Sequence, residues 1–290
     1  MTALNYLSIA LMCNHPTQTP EGDLANKRGC VEPVRQIDSV AEYASTLREL
    51  GSAASGLSRP FWFRGHSDAS YRLTASALRN TRLRDNEGVM LKRFMQDAQS
   101  ILADAPSSPW EWLFLAQHHH VPTRLMDWTE NALVALYFAC QPHKAKVEGT
   151  DPPNGDVWVL LPTNMNKVVG SWTGQHPEDL PMIGVDSTFD KYYPLPLANQ
   201  APAQEPRHPI AGIAVRNFPR IVNQWGTFTV TDQQVALEDH EQAEKFLRRI
   251  AVDANAKSDL LDELKSLGIE ERVIYPDLYR LGDRVKAMFA

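Results

Sequence analysis

The chain has 290 residues, 43% of them hydrophobic, and a formal net charge of −6 at pH 7. That length holds one large domain or two modest ones with enough core to fold without covalent staples. The charge supplies no global basic field, so a nucleic-acid partner would need a local patch. Three cysteines, Cys13, Cys30 and Cys140, form an odd, sparse set without metal-ligand spacing; this argues against a disulfide framework and for a reducing, cytoplasmic setting. No stretch approaches the ~20 apolar residues of a membrane span. The mildly apolar opening, residues 1–12, lacks the basic residue that would precede a secretory signal.

Residues 13–36 contain Pro, Gly and Asn without a period, so residues 1–36 are expected to be an arm or linker and residues 37–290 a single domain. Ser39 and Glu42 are spaced as a capping box for a helix with Val40, Tyr43, Leu47 and Leu50 on one face and Gly51 as its stop. The aromatic run Pro60-Phe61-Trp62-Phe63-Arg64-Gly65 predicts a strand, with Arg64 and Trp62 on one face and Phe61 and Phe63 on the other. A long amphipathic helix is expected over 87–102. A second begins with Ser108 as cap, Pro109 at its first position and Glu111 closing the box.

That second helix delivers Gln117, His118, His119 and His120 to the stretch around which the chain is organised, Val121-Pro122-Thr123-Arg124-Leu125-Met126-Asp127-Trp128-Thr129. Pro122 bars a helix from running through, so 123–129 is expected to be a short strand. Asp127, with Glu130 three residues on, is spaced as the N-cap of the apolar, buried helix that follows through Tyr137. Residues 156–161 read as a strand, whereas 162–209, rich in Pro and Asn, read as a long insertion with few periodic features. The remainder is expected to hold a strand over 221–231, with Gly226 inside it and Gln224, Phe228 and Val230 on one face. Helices over 238–250 and 259–267 follow, the latter ended by Gly268. A last helix begins near Pro276 with Leu278, Leu281 and Val285 inward.

Phe63-Arg64-Gly65, Gln117-His118, Pro122 through Thr129 and Tyr137-Phe138-Ala139 together resemble the FRG-domain family, named for its Phe-Arg-Gly triplet. Later landmarks, Arg220 with Gln224, Gly226 and Phe228, Leu267-Gly268-Ile269 and Tyr275-Pro276-Asp277-Leu278, extend the resemblance over residues 61–281 apart from the insertion. It departs at His119 and His120, where the family usually has Tyr-Gly. The order of parts is also similar to that of ADP-ribosyltransferases: a first strand with Arg64, a second strand with Thr129 feeding a helix, and a third with Gln224. This second resemblance implies an α+β fold with a split mixed/antiparallel sheet, helices packed around it, and a cleft for NAD. It implies a toxin or phage-defence effector that modifies nucleic acid or protein and that an inhibitor protein would restrain. Gln224 stands where a catalytic Glu would be expected.

Cleaving the bond between nicotinamide and ribose passes through an oxocarbenium-like state, as glycoside hydrolysis does. Arg64 suits the pyrophosphate because its planar fork binds phosphate in bidentate fashion. Trp128 or Tyr137 would supply an aromatic wall for a cationic ring. Thr123, Arg124 and Thr129 complete the expected cofactor-binding set. Gln224 bonds hydroxyls but accepts no proton, which leaves Asp127, Glu87, the target itself or a histidine as base, His118 having the best claim. Each residue has a structural alternative: capping for Asp127, core packing for Trp128 and Tyr137, buried ion pairs for Arg64 and Arg124, and a sheet edge for Gln224. Two other functions stay open. One is a metal-dependent nuclease or hydrolase built on His118, His120 and Asp127; the other is a non-enzymatic module that binds a nucleotide or partner in the same cleft.

Overall fold

A computed structural model describes residues 31–53, 60–142, 151–174, 176, 178–195, 207–216, 219–275, 281–282, 285–286 and 288–289. Its strands are β1 (Pro33–Ile37), β2 (Trp62–His66), β3 (Leu125–Thr129), β4 (Gly155–Leu160), β5 (Met182–Ile183), β6 (Ile210–Ala214), β7 (Gly226–Val230) and β8 (Leu247–Val252). They form one eight-stranded sheet in the order β1-β8-β4-β2-β3-β7-β6-β5. The outermost pairs, β1 with β8 and β5 with β6, are parallel, and every other pair is antiparallel. The fold is therefore α+β with a mixed sheet. Among the described residues no helix is long and apolar enough to cross a membrane.

The ladder is uneven at its centre. β2 pairs with β4 over five residues and β3 with β7 over five, but β2 meets β3 through a single pair, Phe63 with Thr129. Beyond that pair the sheet opens. One face carries two hydrophobic clusters, one on each side of the opening. The first gathers Phe63, Val157, Val159 and Ile250 under the helices α1 (Val40–Ala53), α4 (Ala132–Ala139) and α7 (Lys257–Ser266). The second gathers Leu125, Phe228, Val230 and Ile210 under α2 (Thr81–Ala98) and α3 (Pro109–His118). The opposite face is one cluster in which Trp62, Met126, Trp128, Trp158 and Leu160 are covered by the 67–80 segment, by α5 (Pro162–Val168) and by Leu237, Ala243 and Phe246. Strand alternation thus places Phe63 and Trp62 in different cores.

Two glycines determine how closely α4 lies on the sheet. A Cβ at Gly65 would fall 2.0 Å from the Ala135 carbonyl oxygen, and one at Gly155 would fall 2.4 Å from that of Ala139. Only a backbone without side chains lets the helix descend that far. The descending helix is capped by Asn131, whose Oδ1 accepts from the Leu133 and Val134 amides at 3.0 and 3.4 Å. Asp127 is not the cap, a correction with a clear cause: β3 stays extended through Thr129, so the first residue free to cap lies four positions later.

Other expectations are corrected in the same way. The segment expected as a linker ends in β1, which the parallel partner β8 holds in the sheet. α1 passes through Gly51, and α2 spans Thr81–Ala98 from an Asn80 cap rather than 87–102. The 162–209 segment contains α5, β5 and a 3₁₀ turn over Ser187–Tyr192. Residues 221–231 are not one strand: a short helix, α6 (Pro219–Asn223), precedes β7, and Gln224 lies in the turn between them. The helix expected over 238–250 is a 3₁₀ turn, Ala243–Lys245, followed by β8, because pairing with β4 over six residues overrides a helix-like spacing of Leu247 and Ile250. α7 ends before Gly268, whose φ of +82° is the left-handed stop expected of it. Leu281 and Val285 are exposed rather than inward; Pro276 and Leu278 lie outside the described residues, as do Cys13 and Cys30.

Candidate active site

A cleft of about 690 Å³, counted to its open mouth, lies where the sheet opens. Phe63 and Phe138 come to it from one hydrophobic cluster, Phe114, Phe228 and Ile221 from the other, so its walls are aromatic. Its polar groups are Arg64, Gln117, His118, Asp127, Thr129 and Gln224.

The local sequence explains how these groups are held. α3 starts with a complete capping box: the Glu111 amide donates to Ser108 Oγ at 3.2 Å, and the Ser108 amide donates to the Glu111 carboxylate at 3.2 Å. The helix ends at His118. His120, at φ 72°, then reverses the chain and brings Thr123 back against Gln117. The Thr123 hydroxyl donates to Gln117 Oε1, and Gln117 Nε2 donates to Asp127 Oδ1, both at 2.5 Å. This relay fixes which way the Gln117 amide points, because its oxygen and nitrogen each have one matching partner. It also fixes the half-buried Asp127 carboxylate, which faces the cleft from the same side of β3 as Thr129.

Arg64 occupies the opening itself. It springs from the Trp62 face of β2, and its Nη1 donates to the Asp127 backbone carbonyl at 2.7 Å, standing in for a missing ladder donor. Its Nε donates to His66 Nε2 at 3.1 Å. That bond requires a neutral imidazole with its proton on Nδ1. Burial, then the charges of Arg64 and Arg79, hold the His66 pKa well below the usual imidazole range, which keeps it neutral. Burial also lowers the Arg64 pKa, opposed by the Asp127 charge. Arg79 is lowered to about 10 by burial and by Arg64. Among the described residues, neither Arg64 nor Arg79 pairs with a carboxylate, and Arg64 Nη2 has no partner. Neither the buried Arg64 nor the half-buried Arg79 has an ion-pair partner among the described residues beyond the through-space charge of Asp127, and the two together favour a further anion nearby.

The residues anticipated for the site divide into two groups. Arg64, His118, Asp127, Thr129 and Gln224 line one cleft. Gln224 is partly committed there: its Nε2 donates to the Ile274 carbonyl at 3.1 Å, and its own backbone carbonyl accepts from the Thr129 hydroxyl at 2.6 Å. Thr123 stands one bond behind, through Gln117. The others are placed differently. Glu87, 2% exposed, is no base in the cleft; it accepts from the Arg124 amide and Nε, both at 2.8 Å, and Arg124 Nη1 donates to the Tyr192 carbonyl. Both residues therefore tie α2 to β3, away from the ligand. Trp128 borders the cleft, but its indole packs in the opposite-face core and donates to Thr229 Oγ1 at 3.0 Å, so it is no aromatic wall. Tyr137 packs edge-on against Phe138 and does not line the cleft. His120 is exposed, and among the described residues no three His, Cys, Asp or Glu side chains gather as metal ligands, so the His118, His120 and Asp127 centre is not assembled.

Sequence reading gave no role to Gln117, the wall aromatics or Arg79. Gln117 carried a signal, its place before the reversing Pro122; the phenylalanines, as ordinary core residues, carried none. A family model described as FRG domain matches residues 59–148, which span β2 to the end of α4 and hold Arg64, Gln117, His118 and Asp127. No curated protein and no solved structure matches the chain.

Proposed function

We propose that this chain, which carries an FRG domain, is an NAD-dependent ADP-ribosyltransferase whose working carboxylate is Asp127. The observation that carries the reading is the arrangement across the opened strands: a carboxylate oriented by Gln117 on one side and, on the other, a guanidinium that forms no ion pair among the described residues, between aromatic walls. NAD, as the co-substrate, supplies an ADP-ribose unit with nicotinamide as leaving group.

Each residue has a task that its surroundings permit. Arg64 keeps Nη1 on the Asp127 carbonyl and offers Nη2 to a phosphate oxygen. Two of the four wall phenylalanines, Phe114 and Phe228, are stacked with ring centroids 5.0 Å apart, and the walls exclude water from a flat ring bound between them. Asp127 uses the carboxylate oxygen not bonded to Gln117 to stabilise positive charge at the ribose carbon as the glycosidic bond breaks, and then accepts the proton of the attacking hydroxyl or amine. Gln224, its amide nitrogen taken by Ile274, offers Oε1 to a ribose hydroxyl. His118, at the end of α3 beside the same cleft, is the second candidate for the proton. An enzyme of this kind acting as a toxin or defence effector would modify nucleic acid or protein, and an inhibitor protein would restrain it.

The test is nicotinamide release from NAD, with mass spectrometry of RNA, DNA and protein exposed to the pure protein. Wild type should release nicotinamide and add one ADP-ribose mass to a target. Asp127→Asn should lower the rate about 10²- to 10⁴-fold, the span typical of a lost general base. Equal rates for wild type, Asp127→Asn and Arg64→Lys would overturn the assignment.

A further inference from the structure

At the mouth of the cleft Trp225 projects its side chain into solvent, 50% exposed. Its neighbours Gln224 and Gly226 line the cleft, and Gly226 pairs with Thr129. Its backbone lies in the left-handed region at φ 50°, which any residue with a Cβ disfavours. Two hydrogen bonds hold it there: the Trp225 amide donates to the Val222 carbonyl at 3.1 Å, and the Trp225 carbonyl accepts from the Glu130 amide at 3.0 Å. Arg216 lies over the ring, its guanidinium carbon 5.6 Å from the centroid, and is itself tethered by an ion pair to Glu130. A strained backbone that is pinned at both ends, and that leaves half of a large aromatic in solvent, points to use of the exposed ring.

We infer that Trp225, with Arg216 stacked on it, is a platform for an unpaired nucleobase of single-stranded nucleic acid, the acceptor in the proposed transfer. The inference rests on that reading for its meaning but not for its binding test. A free base presents a flat face to an indole, whereas a duplex hides its bases in the stack. Phosphate attraction is a minor part of the recognition here, because Glu130 already neutralises Arg216 and the chain carries a net charge of −6.

The experiment is fluorescence anisotropy with labelled single-stranded RNA and DNA 12-mers, without NAD, on the full chain. Wild type should bind the single strands at least tenfold more tightly than the matching duplex. The salt slope should be roughly −1.4 or shallower, the equivalent of two phosphate contacts. Trp225→Gly relieves the left-handed strain and so should keep the melting temperature, while weakening binding about 5- to 150-fold, the worth of one stacked base; Trp225→Phe should restore most of it. Equal affinity for duplex, or single-strand binding indifferent to Trp225→Gly, overturns the platform. So does a protein labelled with ADP-ribose in the NAD reaction while the oligonucleotides show no Trp225-dependent binding. Trp225-dependent binding without any nicotinamide release overturns the transferase reading and leaves the platform standing.

Discussion

Replacing Gly65 by alanine tests the close approach on which the cleft is built. The added methyl carbon would lie 2.0 Å from the Ala135 carbonyl oxygen, 2.6 Å from the Ala139 amide nitrogen and 2.9 Å from Phe138 Cβ. Ordinary packing needs roughly 3.5 Å, so α4 must rise by more than 1 Å or β2 must sink into the opposite core. Two of the three obstacles are backbone atoms, which cannot turn aside as a side chain would. A gap of even 0.5–1 Å forfeits about a quarter to a half of each dispersion contact, and the face that would lift contains Ala135, Phe138 and Ala139, all buried. The expected cost is about 3 kcal/mol, the upper end of overpacking effects, or roughly 5–10 °C in melting temperature for a chain of this size. Gly268→Ala is the control: it sits at φ +82° with open space around its Cβ position, and should lose only about 1 kcal/mol from backbone strain. Chemical denaturation of the three proteins measures both costs. If Gly65→Ala is no less stable than Gly268→Ala, the helix does not rest on that glycine and the packing argument fails.

The tie between α2 and β3 gives a second expectation. Glu87→Ala leaves Arg124 buried without a counter-charge and should cost about 3–5 kcal/mol, read by the same denaturation; a loss under 1 kcal/mol would show that the pair contributes little. Gln117→Leu removes the group that orients Asp127. It should lower the rate of nicotinamide release by at least tenfold and leave the fold intact, whereas unchanged kinetics would separate Asp127 from its support. A third expectation concerns acid. Burial raises the Asp156 pKa to about 6, so the folded chain takes up that proton first and gains relative stability as pH falls from about 6 towards 4. His66 is depressed, so the unfolded chain takes up its proton first and stability is lost as pH falls below about 6.5. The two residues are cross-strand partners, and as pH falls below about 6 their effects oppose each other. Asp156→Asn should therefore steepen the acid loss by about 1.4 kcal/mol per pH unit relative to wild type; parallel stability profiles would refute the assignment.

What could be read from the sequence was local. The capping box at Ser108, the alternation of Trp62 and Phe63 and the apolar run of α4 are each decided by neighbours a few residues away, and the structure matches them. What misled was pattern without context. Asp127 and Glu130 have cap spacing, yet Asp127 sits mid-strand, held there by pairing with Phe228 about a hundred residues on. Leu247 and Ile250 are spaced like a helix face, yet alternate across a sheet whose neighbour β4 lies far away in sequence. The ion pair of Glu87 with Arg124 joins positions 37 residues apart and leaves no trace in either neighbourhood. Gln224 has the spacing of a strand residue, and nothing in its neighbourhood reveals that Trp225 turns the backbone left-handed just before β7 begins. The cleft itself was legible as three contributing segments, with Asp127 among the candidate bases, but the Gln117 bond that orients its carboxylate was not.

Among the described residues, one residue pair and one guanidinium bond link β2 to β3 across the middle of the sheet. The shared core on the opposite face continues beneath this seam, so the opening is confined to one face of the sheet. The Arg64 fork, with one prong on the far strand and one prong spare, is then both the clasp that sets the resting width and the contact that an incoming anion would meet.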